Sequence, residues 1–479
     1  MKNKKIPDVR PAPKSASTVP LSFKEKFFFG IGPIGKNLSA GIVASNFLTL
    51  YFMGTLGLSP AFFAVLFFVG RIWDGVNDLM MGTVIDHTKS KLGKFRPWII
   101  IGTLTNALVA VMIYSPPNTS QFWLYFFVTV MYILHDASYT MVDVGYWALI
   151  PALSLEAKER EQLSLIPRLV GAIGGLIGGY SLTFVNKLGG NERGFFWVSL
   201  IFAGVYMLTM LSTGAMVKER VLHVQPVQEK FSLIRGAKIL FANDQALTIV
   251  VIMTFFNVAC TLTVSVVMFY FTHVLENDDG FGHYNIIIGA ARGLGLLGFA
   301  PLSRMFGRDR ISKIAYLAPC LGYALFMIFS YTGVEGAMPI YIAGAVTFVA
   351  YGCMDVMQGI LLADAVDYGE WKTGQRNGGI IFSMLTFLSK LANGISSLIT
   401  YAGFAFVGFQ AQTNIAPTEN AVTMIKAIMY IVPPIFLVGA FLVHKAKFKL
   451  NPELMEQITA ELKARRQRST AEFSRELVN

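Results

Sequence analysis

Cysteine is nearly absent from this chain: Cys260, Cys320 and Cys353 stand alone, each inside an apolar run. Their scatter excludes a disulfide framework and a clustered zinc site and leaves them as small buried side chains. Charge is scarce as well. Only 14% of the 479 residues are charged against 54% hydrophobic, and the mean hydropathy of +0.54 excludes an ordinary soluble domain. Catalytic signatures are missing: there is no Gly-rich phosphate loop ending in Lys, no HExxH and no nucleophile elbow. The pair His135–Asp136 is too little for acid–base chemistry, so the chain is not read as an enzyme and no cofactor is expected. Residues 1–26 contain no apolar core before Phe27, which excludes a signal peptide and makes them a cytoplasmic tail.

What remains is apolar and periodic. Runs of about 20 residues or more, long enough to cross a bilayer, recur about twelve times: 27–53, 60–85, 97–115, 121–150, 163–186, 194–217, 245–275, 283–303, 311–332, 338–365, 378–408 and 419–444. The net charge of +11 does not imply nucleic acid, because Lys and Arg sit in short segments between the runs. The segments 86–96, 218–244 and 304–313 are rich in them, whereas 54–59, 116–120, 276–282, 333–337 and 409–418 contain none. The positive-inside rule then puts both termini in the cytoplasm and makes the number of spans even. The longest central connection, 218–244, separates six spans (27–217) from six (245–444), and a charged, helical tail follows (445–479). The expectation is an all-α membrane protein with twelve transmembrane helices in two six-helix halves, the major facilitator plan, with its substrate held at mid-membrane between the halves.

Two spans carry charges that lipid does not tolerate. In RIWDGVND, residues Arg71, Asp74 and Asp78 share one helical face; in DASYTMVDVGYW, residues Asp136, Thr140, Asp143 and Trp147 follow i, i+4, i+7 and i+11 along one stripe. A carboxylate at mid-span costs a few kcal/mol against lipid, so these groups are expected to face a wet cavity. Asp74, Asp78, Asp143 and the Thr140 hydroxyl offer hard oxygens suited to an alkali cation or a proton, with soft-metal chemistry excluded. Three carboxylates in one dry site cannot all stay ionised and unpaired, and either a cation or a proton has to balance them. The plainer alternative is an ion pair for each, with Arg71 the obvious partner of Asp74. Trp147 beside a carboxylate suits the C–H face of a sugar ring as well as simple packing. Arg168 and Lys390 are further intramembrane cations, while Asp136, Arg292 and Asp355 receive no role from the sequence.

The motifs RIWDGVNDLMMG, SKLGKFRPW, YWALIPALSLEAKEREQL and ADAVDYGEWKTGQRNGGIIFSMLTFLSK resemble the glycoside–pentoside–hexuronide:cation symporter family over residues 21 to 445. The resemblance implies a major facilitator fold that carries a sugar with Na⁺, Li⁺ or H⁺. By position it places the cation site on Asp74, Asp78, Thr140 and Asp143, with Asn77 linked to cation choice. It places sugar contacts on Asp143, Trp147 and Arg168, and Lys390, which matches the family's lysine in the eleventh span, is counted with Asn37 as a further expected substrate contact. One position departs: where galactoside carriers of the family have an aspartate after G-K, the run GPIGKNLSAG has Asn37. An amide both donates and accepts hydrogen bonds but brings no charge, which puts a neutral α-galactoside in doubt and leaves room for a hexuronide. The expected partners are thus a sugar or glycoside, a monovalent cation and the lipid bilayer of the inner membrane, with a monomer as the working unit. The rivals are an exporter of another metabolite on the same fold and a non-transporting membrane sensor.

Overall fold

The computed structural model describes residues 21–43, 45–154, 156–220, 233–332, 336–375, 378–411 and 416–478. Residues 1–20 of the expected tail and 221–232 of the central connection lie outside them. The described chain is helical, and its long helices fall on the expected runs. They are α1 (Phe23–Val43), α2 (Pro60–His87), α3 (Arg96–Ile113), α4 (Gln121–Leu153), α5 (Ala157–Gly179) and α6 (Asn191–Met216), then α7 (Asp244–His273), α8 (Asp278–Phe306), α9 (Arg308–Tyr331), α10 (Met338–Thr373), α11 (Gly378–Phe406) and α12 (Val432–Lys447). A final helix, α13 (Pro452–Val478), forms the tail.

Local chemistry sets their ends. Ser59 accepts a hydrogen bond from the Ala61 N–H and Pro60 follows it, so α2 begins with one orphan donor satisfied and another removed. Gly374, at φ +71°, closes α10 in the left-handed conformation that favours glycine. The first and last spans are broken. After α1 the chain continues through Ser45–Thr49 into a π-helical turn, Leu50–Thr55, and before α12 a second π-helical turn covers Ala427–Ile431. Pro433 and Pro434 explain the second break, since neither has an N–H to continue an α-helical ladder.

By length and composition eight of the described helices can cross a bilayer, or nine if the bent pair at the start of the chain is one span. The three others among the expected twelve are α2, α4 and α11, of 28, 33 and 29 residues. These are the helices that carry Asp74 and Asp78, Asp136 and Asp143, and Lys390. Their polar load lowers their hydropathy, and α2 packs on both of the other two.

The packing repeats with an offset of six helices. In the first half α1 packs on α5 and α6, α3 on α4 and α6, and α2 on α4; in the second, α7 packs on α11 and α12, α9 on α10 and α12, and α8 on α10. This is the parallel repeat about an axis normal to the membrane. The halves touch through α2 with α11 and through its counterpart, α5 with α8. The α5–α8 side is sealed away from the basic loops, where Thr183 donates to Asp279 (2.6 Å), Asn186 donates to Asp278 (2.9 Å), and the Tyr180 ring meets His283 edge-on. Towards the basic loops it opens: a Cβ built on Gly175 or Gly289 would meet nothing within 4 Å. The α2–α11 side is packed at mid-height, with the Phe387 ring against Gly75 and Arg71 against Gly394.

Candidate functional site

The carboxylates of α2 and α4 hang from a fixed frame. Ser39 of α1 donates to the Asn106 side chain of α3 (2.8 Å), and Asn106 in turn donates to the His135 carbonyl of α4 (2.9 Å). Asn106 is fully buried, so this chain of amide and hydroxyl bonds fixes the rotation of α4 and with it the stripe Asp136–Thr140–Asp143–Trp147.

Lys390 reaches across from the second half. Its Nζ lies 2.8 Å from Asp74 Oδ1 and makes a still closer contact with Asp78 Oδ2. Arg71 stands 3.6 Å from the other Asp74 oxygen, and the Thr140 hydroxyl donates to Asp78 at 3.4 Å. Lys390, expected beside the sugar by resemblance, is therefore placed on the two α2 carboxylates. Asp136 lies within electrostatic reach of Asp74, Asp78, Arg71 and Lys390. Among the described residues its Oδ2 is enclosed with no partner, as are Arg71 Nε and the Asn77 side-chain nitrogen. Around Lys390 there are thus three carboxylates and two cations.

Asp143 belongs to a neighbouring group. It forms an ion pair with Lys36 of α1, which is 6% exposed while Asp143 is 38% exposed, and it accepts a hydrogen bond from the Trp147 indole N–H (3.1 Å). The Trp147 ring has Lys36 Nζ 4.8 Å and the Arg168 guanidinium 5.2 Å from its centre, both within cation–π range. Asn37 spends its amide N–H on the Gly171 carbonyl of α5 (2.8 Å). Among the described residues, no three carboxylates, histidines or cysteines converge as a metal would require. Asp74 and Asp78 meet at Lys390, and Asp143 stands apart on Lys36. Lys36 was missed in the sequence, although the rule that singled out Lys390, a charge well inside a span, applies to it equally.

Inside the second half, one intramembrane pair closes on itself. Arg292 of α8 grips Asp355 of α10 in a two-pronged contact, Nε to Oδ2 at 2.5 Å and Nη2 to Oδ1 at 2.8 Å. A separate cavity of about 550 Å³ lies at the basic end between α10 and α13, lined by Asp364, Asp367 and Glu456 among apolar side chains.

Among the described residues these groups pair charge with charge, Lys390 doing so across the contact between the two repeats. The family model described as MFS/sugar transport protein matches residues 28–451. The chain belongs to that family. Members resembling it over nearly their whole length include the symporter YjmB of Bacillus subtilis, 27% identical over 92% of this chain and 95% of that protein. The isoprimeverose transporter of Lactiplantibacillus pentosus is also 27% identical, over 94% of this chain and 95% of its own. The lactose permease of Lactobacillus delbrueckii subsp. bulgaricus is 27% identical over 82% of this chain and 64% of its own length. The nucleoside transporter NupG superposes with a TM-score of 0.63 at 15% identity, covering 89% of this chain and all of that one. At that identity the likeness establishes the fold, a major facilitator transporter, and no more. The family and fold are those of transporters, not enzymes.

Proposed function

We propose that the protein is a secondary active symporter that brings a sugar or glycoside into the cell with Na⁺ or H⁺, Li⁺ being a possible substitute, from an inner membrane in which both termini are cytoplasmic. The observation that carries this reading is Lys390 of one half bridging Asp74 and Asp78 of the other. A lysine in that position does electrostatically what a bound cation would do. Three carboxylates against two cations leave room for one further positive charge, so a monovalent ion can enter, take over part of the load from Lys390 and loosen one half from the other. Thr140 and Asn77 supply neutral ligands beside it.

The sugar is assigned to the Asp143–Trp147–Arg168 end of the same stripe. An aromatic face next to a carboxylate and a guanidinium gives a pyranose ring both stacking and hydrogen bonds. Relatives named for lactose and isoprimeverose transport are consistent with a glycoside. The halves then rock about a site that stays near mid-membrane. Because one α4 stripe serves both ligands, each tightens the other by the same factor. A second reading concerns the sugar's charge. Arg168 has no carboxylate partner among the described residues, so the sugar end carries an excess positive charge that suits a hexuronide.

The experiment is uptake of labelled glycosides and uronides by membrane vesicles under an imposed Na⁺ or pH gradient. Gradient-driven accumulation of one of them is expected. Efflux that ignores sugars and depends on neither gradient would instead favour an exporter.

A further inference from the structure

The geometry points to a second sugar-binding subsite in the carboxy-terminal half, formed by Arg292 and Asp355 with Gln358. It rests on the sugar-transport reading above and adds the residues with which that half holds the substrate.

Arg292 faces the seam between the halves, not lipid. On α8, Gly282 and Asn285 touch Tyr180 and Gly179 of the first half; Gly289 and Arg292 continue the same stripe at i+7 and i+10 from Gly282. The lipid side of that helix is marked by Leu294 and Leu297, 65% and 78% exposed. On α5 the stripe leading away from Gly179 runs through Gly175 and Ala172 to Arg168. From the sealed end, at 1.5 Å per residue, Arg292 lies roughly 10 Å and Arg168 roughly 16 Å down the seam. The space between is open at Gly289, one turn before Arg292 on the seam stripe, where a Cβ would have no neighbour within 4 Å. Arg168, the sugar contact implied on the first half, and Arg292 therefore look into one cleft.

The chemistry of the pair decides what it takes. Two of the five guanidinium N–H donors are spent on Asp355, which leaves three, and the carboxylate keeps lone pairs to accept more. The side chains are 42% and 26% exposed, so these groups are accessible. One turn along α10 from Asp355, the Gln358 side-chain nitrogen is enclosed and has no partner among the described residues. A paired guanidinium and carboxylate has no net charge, so it neither requires nor favours an ionic ligand. What it fits is a pair of adjacent sugar hydroxyls, one donating to Asp355 and its neighbour accepting from Arg292. The nearby Thr261–Asn393 hydrogen bond (2.9 Å) joins α7 to α11 and keeps the wall polar where α11 continues to Lys390.

The alternative is a structural clasp holding α8 to α10. The test uses the full-length chain in proteoliposomes, with labelled lactose, isoprimeverose, methyl β-D-glucoside and methyl β-D-glucuronide as probes. For each probe the wild type takes up, R292K and D355N are expected to raise KM about tenfold or more. The charge-exchanged double variant R292D/D355R, which can re-form a clasp, is expected not to restore it. A deoxy analogue that loses affinity for the wild type should lose no more in D355N. Wild-type KM values in R292K and D355N, or their restoration by the charge-exchanged pair, overturn the subsite while leaving sugar transport intact. Uptake of none of the four by the wild type removes the sugar reading and the subsite with it. Should D355N fail to fold, R292K, which keeps the ion pair and loses the fork, decides alone.

Discussion

Replacing Lys390 by Ala separates a charge that merely holds two helices together from one that stands in for a cation. Lys390 is 21% exposed and its partners Asp74 and Asp78 are 13% and 34% exposed, so the contact is neither fully buried nor a surface pair. Breaking a buried pair costs about 3–5 kcal/mol and a surface pair about 0–1; an intermediate loss of about 2 kcal/mol is expected in cation-free buffer. The same change leaves three carboxylates facing Arg71 alone. A unit charge about 4 Å away is worth about 4 kcal/mol at an effective dielectric of 20. If half of that survives screening through the open edge, Na⁺ or Li⁺ binds more than tenfold tighter, at about 1.4 kcal/mol per decade. Thermal unfolding of purified wild type and Lys390→Ala, each titrated with NaCl against choline chloride, measures both effects. The variant should melt lower without Na⁺ and gain more from it, since a ligand of the native state stabilises by RT ln(1 + [L]/Kd). Equal Na⁺ responses in the two proteins, with the variant low throughout, would refute the exchange of lysine for cation. Lys390 would then be a structural tie.

Asp143→Asn leaves Lys36, 6% exposed, without its carboxylate; a loss of about 2–3 kcal/mol is expected, read as a fall in unfolding temperature. The double variant Lys36→Gln/Asp143→Asn should recover more than half of that stability and none of the sugar uptake. Glu219 accepts from three consecutive backbone N–H groups, those of Lys94 (2.8 Å), Phe95 (2.8 Å) and Arg96 (3.1 Å), at the start of α3. Glu219→Ala should therefore cost about 1–3 kcal/mol and expose the basic loop to trypsin at Lys89, Lys91 and Lys94, measured by the rate of cleavage against Glu219→Gln. Asn37→Asp removes the donor that holds the Gly171 carbonyl and adds a negative charge near Lys36 and Arg168. Uptake of a glucuronide relative to the matching glucoside should fall several-fold, and an unchanged ratio would remove the link between this position and the sugar's charge.

The parts of this molecule that could be read from its sequence are those whose signal is local. Apolar runs, basic loops and the stripe from Asp136 to Trp147 all depend on neighbours within a few turns, and the helices fall where those signals put them. The partners of the intramembrane charges are not local. Lys390 lies 312 and 316 residues from the carboxylates it bridges, and Lys36 lies 107 from Asp143. The Arg292–Asp355 fork joins helices 63 residues apart. No periodicity encodes such distances; the repeat does. Once α8 is recognised as the counterpart of α2 and α10 of α4, a charged residue on α8 has an expected neighbour on α10, just as Arg71 and Asp74 on α2 lie within electrostatic reach of Asp136 on α4. The difference between the halves then carries the functional asymmetry. In the second half Arg292 and Asp355 cancel as a tight pair and Lys390 is left over. In the first they outnumber their local partners, and a lysine from the other half makes up part of the deficit. On the symport reading proposed above, this borrowed charge ties the halves at the seam, and a cation is the ligand that releases it.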